Sequence, residues 1–390
     1  MNNPHADIII VGAGIMGTSA AFFLRRRGYS VLLLERGLVG QHASGTNFGN
    51  VRRQGRFLPQ LALANRSREI WGRLPELIGD DIEFIPSGHL RVCFRPEEIT
   101  RLETYAQAPE ARELGLRIYQ GAAMRALFPY LGPDVMAASH APFDGHANPR
   151  LSAPAFARAA VREGVELREN TEISTVDKVG ELFHVTSVSG EQFQAPRLLV
   201  TAGAWGSRLS TQFGEPVPMQ PHGPQMAVTE PLPYVFKEVV GVLSDVTEEV
   251  IYFRQIPRGN VIFGGCYRSR PNLDTLRAAA EPKGLLIQLP QLKRVAPALA
   301  RANVIRTWSG VEGYVVDDRP IMGPSHQVDG LYYAFGFCGH GFQLGPGVGD
   351  VMAELIDTGT TSTPIEPFLI SRFAQYQAPL DVALAGSLAR

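Results

Sequence analysis

Cysteine is scarce in this chain: Cys93, Cys266 and Cys338 are the only three in 390 residues, far apart and with no C-x-x-C pair. That excludes a disulfide framework, and it argues against a cysteine-ligated zinc or iron–sulfur centre, so no metal site is expected. Lysine is nearly as rare, at Lys178, Lys237, Lys283 and Lys293, so arginine carries almost all the positive charge. Neither sign of charge dominates: 37 basic residues stand against 38 acidic ones. Such a balance gives no reason to expect nucleic acid or an anionic membrane as partner. No apolar run approaches the ~20 residues that cross a bilayer; the longest, near Ile8, is broken by glycines. The N-terminus shows neither a basic leader nor a small-residue cleavage site. There is no internal repeat and no low-complexity tract. A cytoplasmic protein of two domains, at about 100–200 residues each, is the expectation.

What is present begins with a strand, a turn and a helix. Asp7-Ile-Ile-Ile-Val11 is long enough for a buried strand, and Gly12-Ala-Gly14-Ile15-Met16-Gly17 follows at once as G-x-G-x-x-G. Thr18 to Arg27 reads as a helix, with cations at its negative end and Gly28 as its stop. Tyr29 to Leu34 is a second buried strand that ends in Glu35. Gly12 permits the tight turn, Gly14 lets the backbone approach a pyrophosphate, and Gly17 lets helix and strand pack closely. The pyrophosphate then rests on the positive end of the helix. Glu35 is placed to accept from a ribose hydroxyl, and an acid rather than Arg there favours FAD or NAD over NADP. Arg36 follows it.

Further along, Gly40 to Arg56 is rich in small residues and turns basic at Arg52, Arg53 and Arg56, a pattern suited to an anion. Leu58 to Leu77 reads as an amphipathic helix and Ile82 to Phe94 as strands about a Ser87-Gly88 turn. Helices are expected at Pro96 to Leu114, Ala122 to Phe128, Ala153 to Glu163, Asn272 to Ala279, Lys283 to Ala296 and Gly347 to Thr358. Strands are expected at Val165 to Arg168, Glu172 to Val176, Phe183 to Val188, Gln192 to Ala195, Arg197 to Val200, Gln225 to Thr229, Val250 to Gln255, Asn260 to Gly264 and Leu331 to Ala334. This is an α/β pattern, and its texture changes near residues 80, 145, 215 and 315.

Four blocks in order carry a resemblance: the N-terminal fingerprint, Leu199-Val-Thr-Ala-Gly-Ala-Trp205, Trp308-Ser-Gly through Asp317-Asp-Arg-Pro-Ile-Met-Gly323, and Gly336-Phe-Cys-Gly-His-Gly-Phe-Gln-Leu344. Together they resemble the FAD-dependent amino acid and amine oxidoreductases, the family of D-amino acid oxidase, glycine oxidase and sarcosine oxidase. Asn47 to Arg56 looks most like the flavin subunits of opine oxidases. The resemblance implies a Rossmann-like FAD-binding domain from residues 1–80, 145–215 and 315–390, with an inserted α+β substrate domain from 81–144 and 216–314. It implies that Ser44, Gly49, Asn50, Val51 and Arg52 lie beside the isoalloxazine, and that Ile173 meets the adenosine. Ala202, Gly203 and Trp205, with Gly339, His340, Gly341, Phe342, Gln343 and Leu344, would flank the flavin. The implied reaction moves a hydride from the carbon beside an amine nitrogen to flavin N5, and the imine then hydrolyses. Orienting groups are therefore sought rather than a triad: Tyr252, Arg254 and His340.

The chain departs from its relatives at three places. Four residues after Trp308, where glycine-oxidase-like members place an Arg for the substrate carboxylate, stands Glu312. Gln343 stands where monomeric sarcosine oxidases carry a Lys, and Val315 to Met322 has no Cys to tether FAD, so non-covalent FAD is expected. The carboxylate must find other cations, among which Arg52, Arg53, Arg56 and Arg254 are candidates. Glu312 favours a substrate with an extra cation, such as the guanidinium of an opine. The expected activity is oxidation of a secondary amino acid or opine-like amine, possible partners being subunits that carry further redox centres. A D-amino acid, proline or hydroxyproline dehydrogenase flavin subunit and a non-catalytic FAD-binding subunit are the alternatives.

Overall fold

Ile8–Val11 is apolar at every position and wholly buried, as a central parallel strand must be. In the computed structural model, which describes residues 6–376 apart from 273, 274 and 276, it lies inside a six-stranded sheet. The order is Ile321–Pro324, Leu331–Phe335, Leu198–Val200, Ile8–Val11, Val31–Leu34, Glu166–Arg168. All neighbours are parallel except the first pair. Period-two alternation divides the strand between two cores. Ile8 and Ile10 pack beneath the first helix, Ile15–Arg26, with Phe156 and Val348. Ile9 and Val11 face Phe183, Val185 and Tyr333 under a three-stranded meander, Ile173–Val179, Leu182–Ser187 and Gln192–Ala195.

A second, nine-stranded sheet stands beside the first. Its path runs Val304–Ser309, Met219–Pro231, Asn260–Ser269, Ile251–Gln255, Val239–Val242, His89–Cys93, Ala137–Ala141, Arg117–Gln120, and Glu312–Val315 pairs with the start of Met219–Pro231. One face carries Leu90, Val92, Phe253 and Phe263 against the helix Pro282–Val295.

Two long helical expectations break at prolines. Leu58 to Leu77 is a 3-10 turn, then Leu61–Gly72, then Leu74–Ile78, with Pro75 in the first turn of the last. A proline fits a first turn but not the interior of one continuous helix. Pro96–Gln107 ends at Ala108, held extended by the Pro109 that follows it. Of the strands expected over Ile82 to Phe94, His89–Cys93 forms, and Ile85 makes a single bridge to His146. The helix expected over Asn272 to Ala279 falls partly outside the described residues, and Asn272 bridges Arg277 there. The C-terminal helix starts earlier than expected, as Gly341–Thr358.

That early start has a packing cause. A Cβ at Gly345 would lie 2.7 Å from Ile15, and one at Gly349 would lie 2.3 Å from Ser19 Oγ and 2.6 Å from the Ala20 nitrogen. Ser19 Oγ donates to the Gly345 carbonyl at 2.9 Å. The two helices therefore touch backbone to backbone. Gly349→Val is expected to cost about 1–3 kcal/mol or more, read as a lower midpoint in denaturant unfolding. An unchanged midpoint would refute this packing account.

Candidate functional site

Between the two sheets runs a cleft of about 1170 Å³. That exceeds the ~300–1,000 Å³ of a site for one small ligand, and suits a dinucleotide together with a substrate. Its wall begins at the turn after the first strand. A Cβ on Gly12 (φ +109°) would press to 2.7 Å from the Thr201 carbonyl, and one on Gly17 to 1.9 Å from the Gly12 carbonyl. Gly14 differs: a Cβ there would meet only Ser44 Oγ, at 3.0 Å. The three glycines thus divide into a tight turn, an open approach and a close helix–strand contact. The Ile15 N–H donates to Ser44 Oγ at 2.9 Å, while Met16 and Gly17 keep the orphan N–H groups of a helix start.

Glu35 closes the second strand. Its carboxylate accepts from the Ala13 N–H at 2.8 Å and the Gly37 N–H at 2.9 Å. Each oxygen retains capacity for a further donor. Beside it the Arg36 guanidinium lies 3.6 Å from the centre of the Trp205 ring. Ile173, Ala202 and Gly203 continue this wall.

The basic loop enters next. Asn50 and Gln343 both line the cleft, and Asn50 Oδ1 and Gln343 Oε1 are buried without a partner among the described residues. Two unsatisfied acceptors in its lining are what a site leaves for a ligand's donors. Arg52 donates to the Gln54 carbonyl. Arg56 donates to the Arg52 carbonyl (2.9 Å), Gln60 Oε1 (3.1 Å) and the His340 carbonyl (3.3 Å). Burial, then Arg52, holds Arg56 down at about 9. Arg91, on the strand His89–Cys93, joins them, pushed down to about 10 by burial and then by Arg52. Arginine stays protonated at neutral pH, so these shifts register cations crowded together away from water.

Glu312, Tyr314, Tyr252, Arg268 and His340 form the last wall. The Tyr314 hydroxyl donates to Glu312 Oε2 at 2.9 Å, and the Arg268 guanidinium lies 4.0 Å from the Tyr314 ring centre. Burial raises the Glu312 carboxyl above its usual range. Burial, then Arg56 and Arg52, holds His340 well below the usual imidazole value, so it is neutral. The Tyr252 ring packs edge-on to Phe48, 4.8 Å between centres.

The cleft brings together Gly12, Gly14, Ile15, Met16, Glu35, Arg36, Ser44, Asn50, Arg52, Ile173, Ala202, Gly203, Trp205, Tyr252, Glu312, Gly339, His340, Gly341, Phe342 and Gln343. Gly17, Gly49, Val51 and Leu344 stand behind its surface; Val51 and Leu344 are core residues, and Gly49 turns the loop at φ +84°. Two expected cations are already occupied. Arg53 Nε pairs with the buried Asp144 at 3.0 Å. Arg254 donates to the Phe48 carbonyl at 2.8 Å and meets His146 Nδ1 at 3.0 Å, beneath the loop rather than in the cleft. Sequence reading missed Arg91 and Arg268. The available signal at Arg91 was a lone arginine inside the otherwise apolar Leu90-Arg-Val-Cys93.

A family described as FAD dependent oxidoreductase matches residues 7–355. The glycine oxidase of Geobacillus kaustophilus is 28% identical over 381 residues, covering 94% of this chain and 97% of its own. An opine oxidase subunit of Rhizobium meliloti is 26% identical over 385 residues, with 96% and 99% covered. The crystal structure of L-proline dehydrogenase from P. horikoshii matches with a TM-score of 0.88 at 25% identity, over 96% of this chain and 99% of that one. No helix among the described residues is long and apolar enough to cross a membrane. With its length matched almost end to end and its cleft fitted to an adenine dinucleotide, the chain belongs to the family of FAD dependent oxidoreductases and is an enzyme of that kind.

Proposed function

We propose that the protein oxidises the C–N bond of a secondary amino acid or opine-like amine, with water then hydrolysing the imine product. One observation carries this reading: the cleft that suits the dinucleotide also holds a neutral imidazole, a buried carboxylate and arginines, Arg52 and Arg56, with no carboxylate partner among the described residues. Bound FAD supplies the hydride acceptor, at its N5. The Met16 N–H, with Gly14 and Ser44, receives the pyrophosphate, Gly17 packs the helix behind it, and Glu35 accepts from the ribose. Arg36, Trp205 and Ile173 take the adenosine. Ser44, Asn50, Arg52, Ala202, Gly203 and the turn at Gly339 to Gln343 border the ring. The start of the helix Gly341–Thr358 directs a positive end toward it. The absence of Cys in Val315 to Met322 supports non-covalent attachment.

At the substrate end, Arg52 and Arg56 bind the amino acid carboxylate. Tyr252 and His340 orient the amine; a neutral His340 adds no charge to repel it. Glu312 pairs with a cationic substituent such as a guanidinium. The two sheets support a division into an FAD domain from 1–80, 145–215 and 315–390 and a substrate domain from 81–144 and 216–314, since each sheet draws its strands almost wholly from one set. The likeness to a protein named as a subunit supports work alongside other subunits that bear redox centres.

The test is anaerobic mixing of purified holoenzyme with octopine, a neutral N-alkyl amino acid and proline. Bleaching by secondary amino acids is expected, and a flavin that none of them bleaches would favour a non-catalytic role. Glu312→Gln should lower kcat/KM for octopine roughly tenfold to hundredfold more than for the neutral substrate. Equal losses for both would dispose of the cation-pairing role. Gly14→Val should give folded protein with little flavin, whereas Gly17→Val should fail to fold; flavin absorbance per polypeptide and circular dichroism separate the two. Normal flavin content in Gly14→Val would remove Gly14 from the pyrophosphate site.

A further inference from the structure

The oxidation proposed above gives Arg254 no part, yet the protein buries this cation to 3% exposure. Arg254 stands on Ile251–Gln255, two residues from Tyr252, so both side chains leave the same face of the strand. Phe48 covers the pair: its ring packs on Tyr252, and its carbonyl accepts from Arg254 Nε at 2.8 Å. A Cβ on Gly49 would fall 2.7 Å from Arg254 Nη2, so the guanidinium lies against the backbone of the loop. Phe48 and Asn50, on either side of Gly49, line the cleft. The charge therefore stands one thickness of backbone behind the cleft wall.

Nothing around Arg254 answers that charge. Arg254 Nη1 meets His146 Nδ1 at 3.0 Å. A guanidinium only donates, so Nδ1 accepts and the imidazole proton sits on Nε2, which is buried without a partner among the described residues. Burial, then Arg254, holds His146 down at about 3, so the ring is neutral. His146 pairs across strands with Asn50, which ties the cation's neighbour to the cleft lining. The carboxylate whose charge reaches Arg254 is that of the exposed Glu83, and it accepts from Asn148. Asp144 is bound to Arg53. A buried cation left without a counter-ion is strongly opposed in the protein alone.

We infer that Arg254 tunes the bound flavin: held without a counter-ion behind Phe48 to Asn50, it favours the ring after that ring has accepted a hydride. The inference rests on the placement of this loop beside the ring proposed above. A hydride leaves the substrate carbon with two electrons and one proton and forms a bond to N5. The ring is neutral before that transfer and holds one negative charge after it, until a second proton arrives. Arg254 is placed to answer that charge through the backbone, where salt screens little. It touches neither substrate nor ring, and it raises the reduction potential from behind the wall.

Three variants of the holoenzyme test this, with the flavin potential read by equilibration against a reference dye. Arg254→Gln removes the charge and should lower the reduction equilibrium constant roughly tenfold, about 30 mV for a two-electron couple. His146→Asp leaves Arg254 in place and sets a carboxylate against it; a carboxylate beside a guanidinium stays ionised. It should lower the potential by a similar amount while flavin content and thermal midpoint hold. Arg254→Lys should match wild type at low pH and approach Arg254→Gln as pH rises, because burial lowers the pKa of a lysine. If Arg254→Gln fails to hold flavin, the other two decide. An unchanged potential in His146→Asp, or a gap between Arg254→Lys and wild type that is present and constant at every pH, overturns the inference and leaves Arg254 a brace for the loop. Potentials shifted as expected in a flavin that no amine bleaches sink the oxidation alone. Unshifted potentials in an enzyme that amines bleach sink the tuning alone.

Discussion

The Ser19 hydroxyl bonded to the Gly345 carbonyl marks the contact on which the architecture depends. It joins helices from opposite ends of the chain, and it exists because Gly345 and Gly349 present bare backbone to Ile15, Ser19 and Ala20. The consequence reaches the cleft. A Cβ at Gly341 would lie 3.0 Å from Met16 Cε, so the start of the C-terminal helix is fixed beside the start of the first. Two positive helix ends then look into one space, and each favours negative charge or electron-rich oxygen nearby. A close-packed interior transmits such placement with little slack. A loosened crossing would therefore be felt at the ligand wall as well as in the core.

Much of the fold was legible where local chemistry and global position agree. Ile8–Val11 and Gly12 to Gly17 are such a case, because the apolar run, the positive φ and the short contacts are all properties of adjacent residues. Legibility failed where a long-range partner decides. Arg53, Arg56 and Arg254 look alike in sequence, yet Asp144 takes the first, the Phe48 carbonyl and His146 take the third, and the second is left at the cleft. Asp144 is 91 positions from Arg53, and nothing local announces the pairing. Arg91 was hidden for the opposite reason: its strand is buried on both faces, so its neighbours read as core and only the odd residue betrays a site. The glycines of the C-terminal helix misled in the same manner. By intrinsic preference Gly341, Gly345 and Pro346 argue against a helix, and tertiary packing overrides them.

The cleft is also where the protein gives up stability. Buried cations without counter-ions and buried amide oxygens without donors oppose folding, and here such groups gather around one space: the buried Arg56 and the half-buried Arg91, with Asn50 Oδ1 and Gln343 Oε1. The surrounding cores are ordinary by comparison, with Ile10, Leu33, Phe183 and Phe253 fully buried in apolar company. Unmet polar demand of this kind is recovered when a ligand binds the folded state alone. The same groups that cost stability thus set the selectivity of the cleft, because only a ligand with matching charge removes the deficit.

The presence of arginine rather than lysine at Arg56 and Arg91 takes on meaning in that setting. An ammonium group moved into such a crowd of cations sheds its proton readily, and the site would lose the charge that makes it selective. A guanidinium keeps its charge under the same pressure: Arg56 and Arg91 are pushed down only to about 9 and about 10, both still above neutrality. Its planar fork also serves two directions at once. Arg56 donates along its length to Arg52, Gln60 and His340 and still borders the cleft. One side chain thereby braces the loop, fixes the turn before the C-terminal helix and faces the ligand, a combination that the compact, rotatable donors of lysine do not supply.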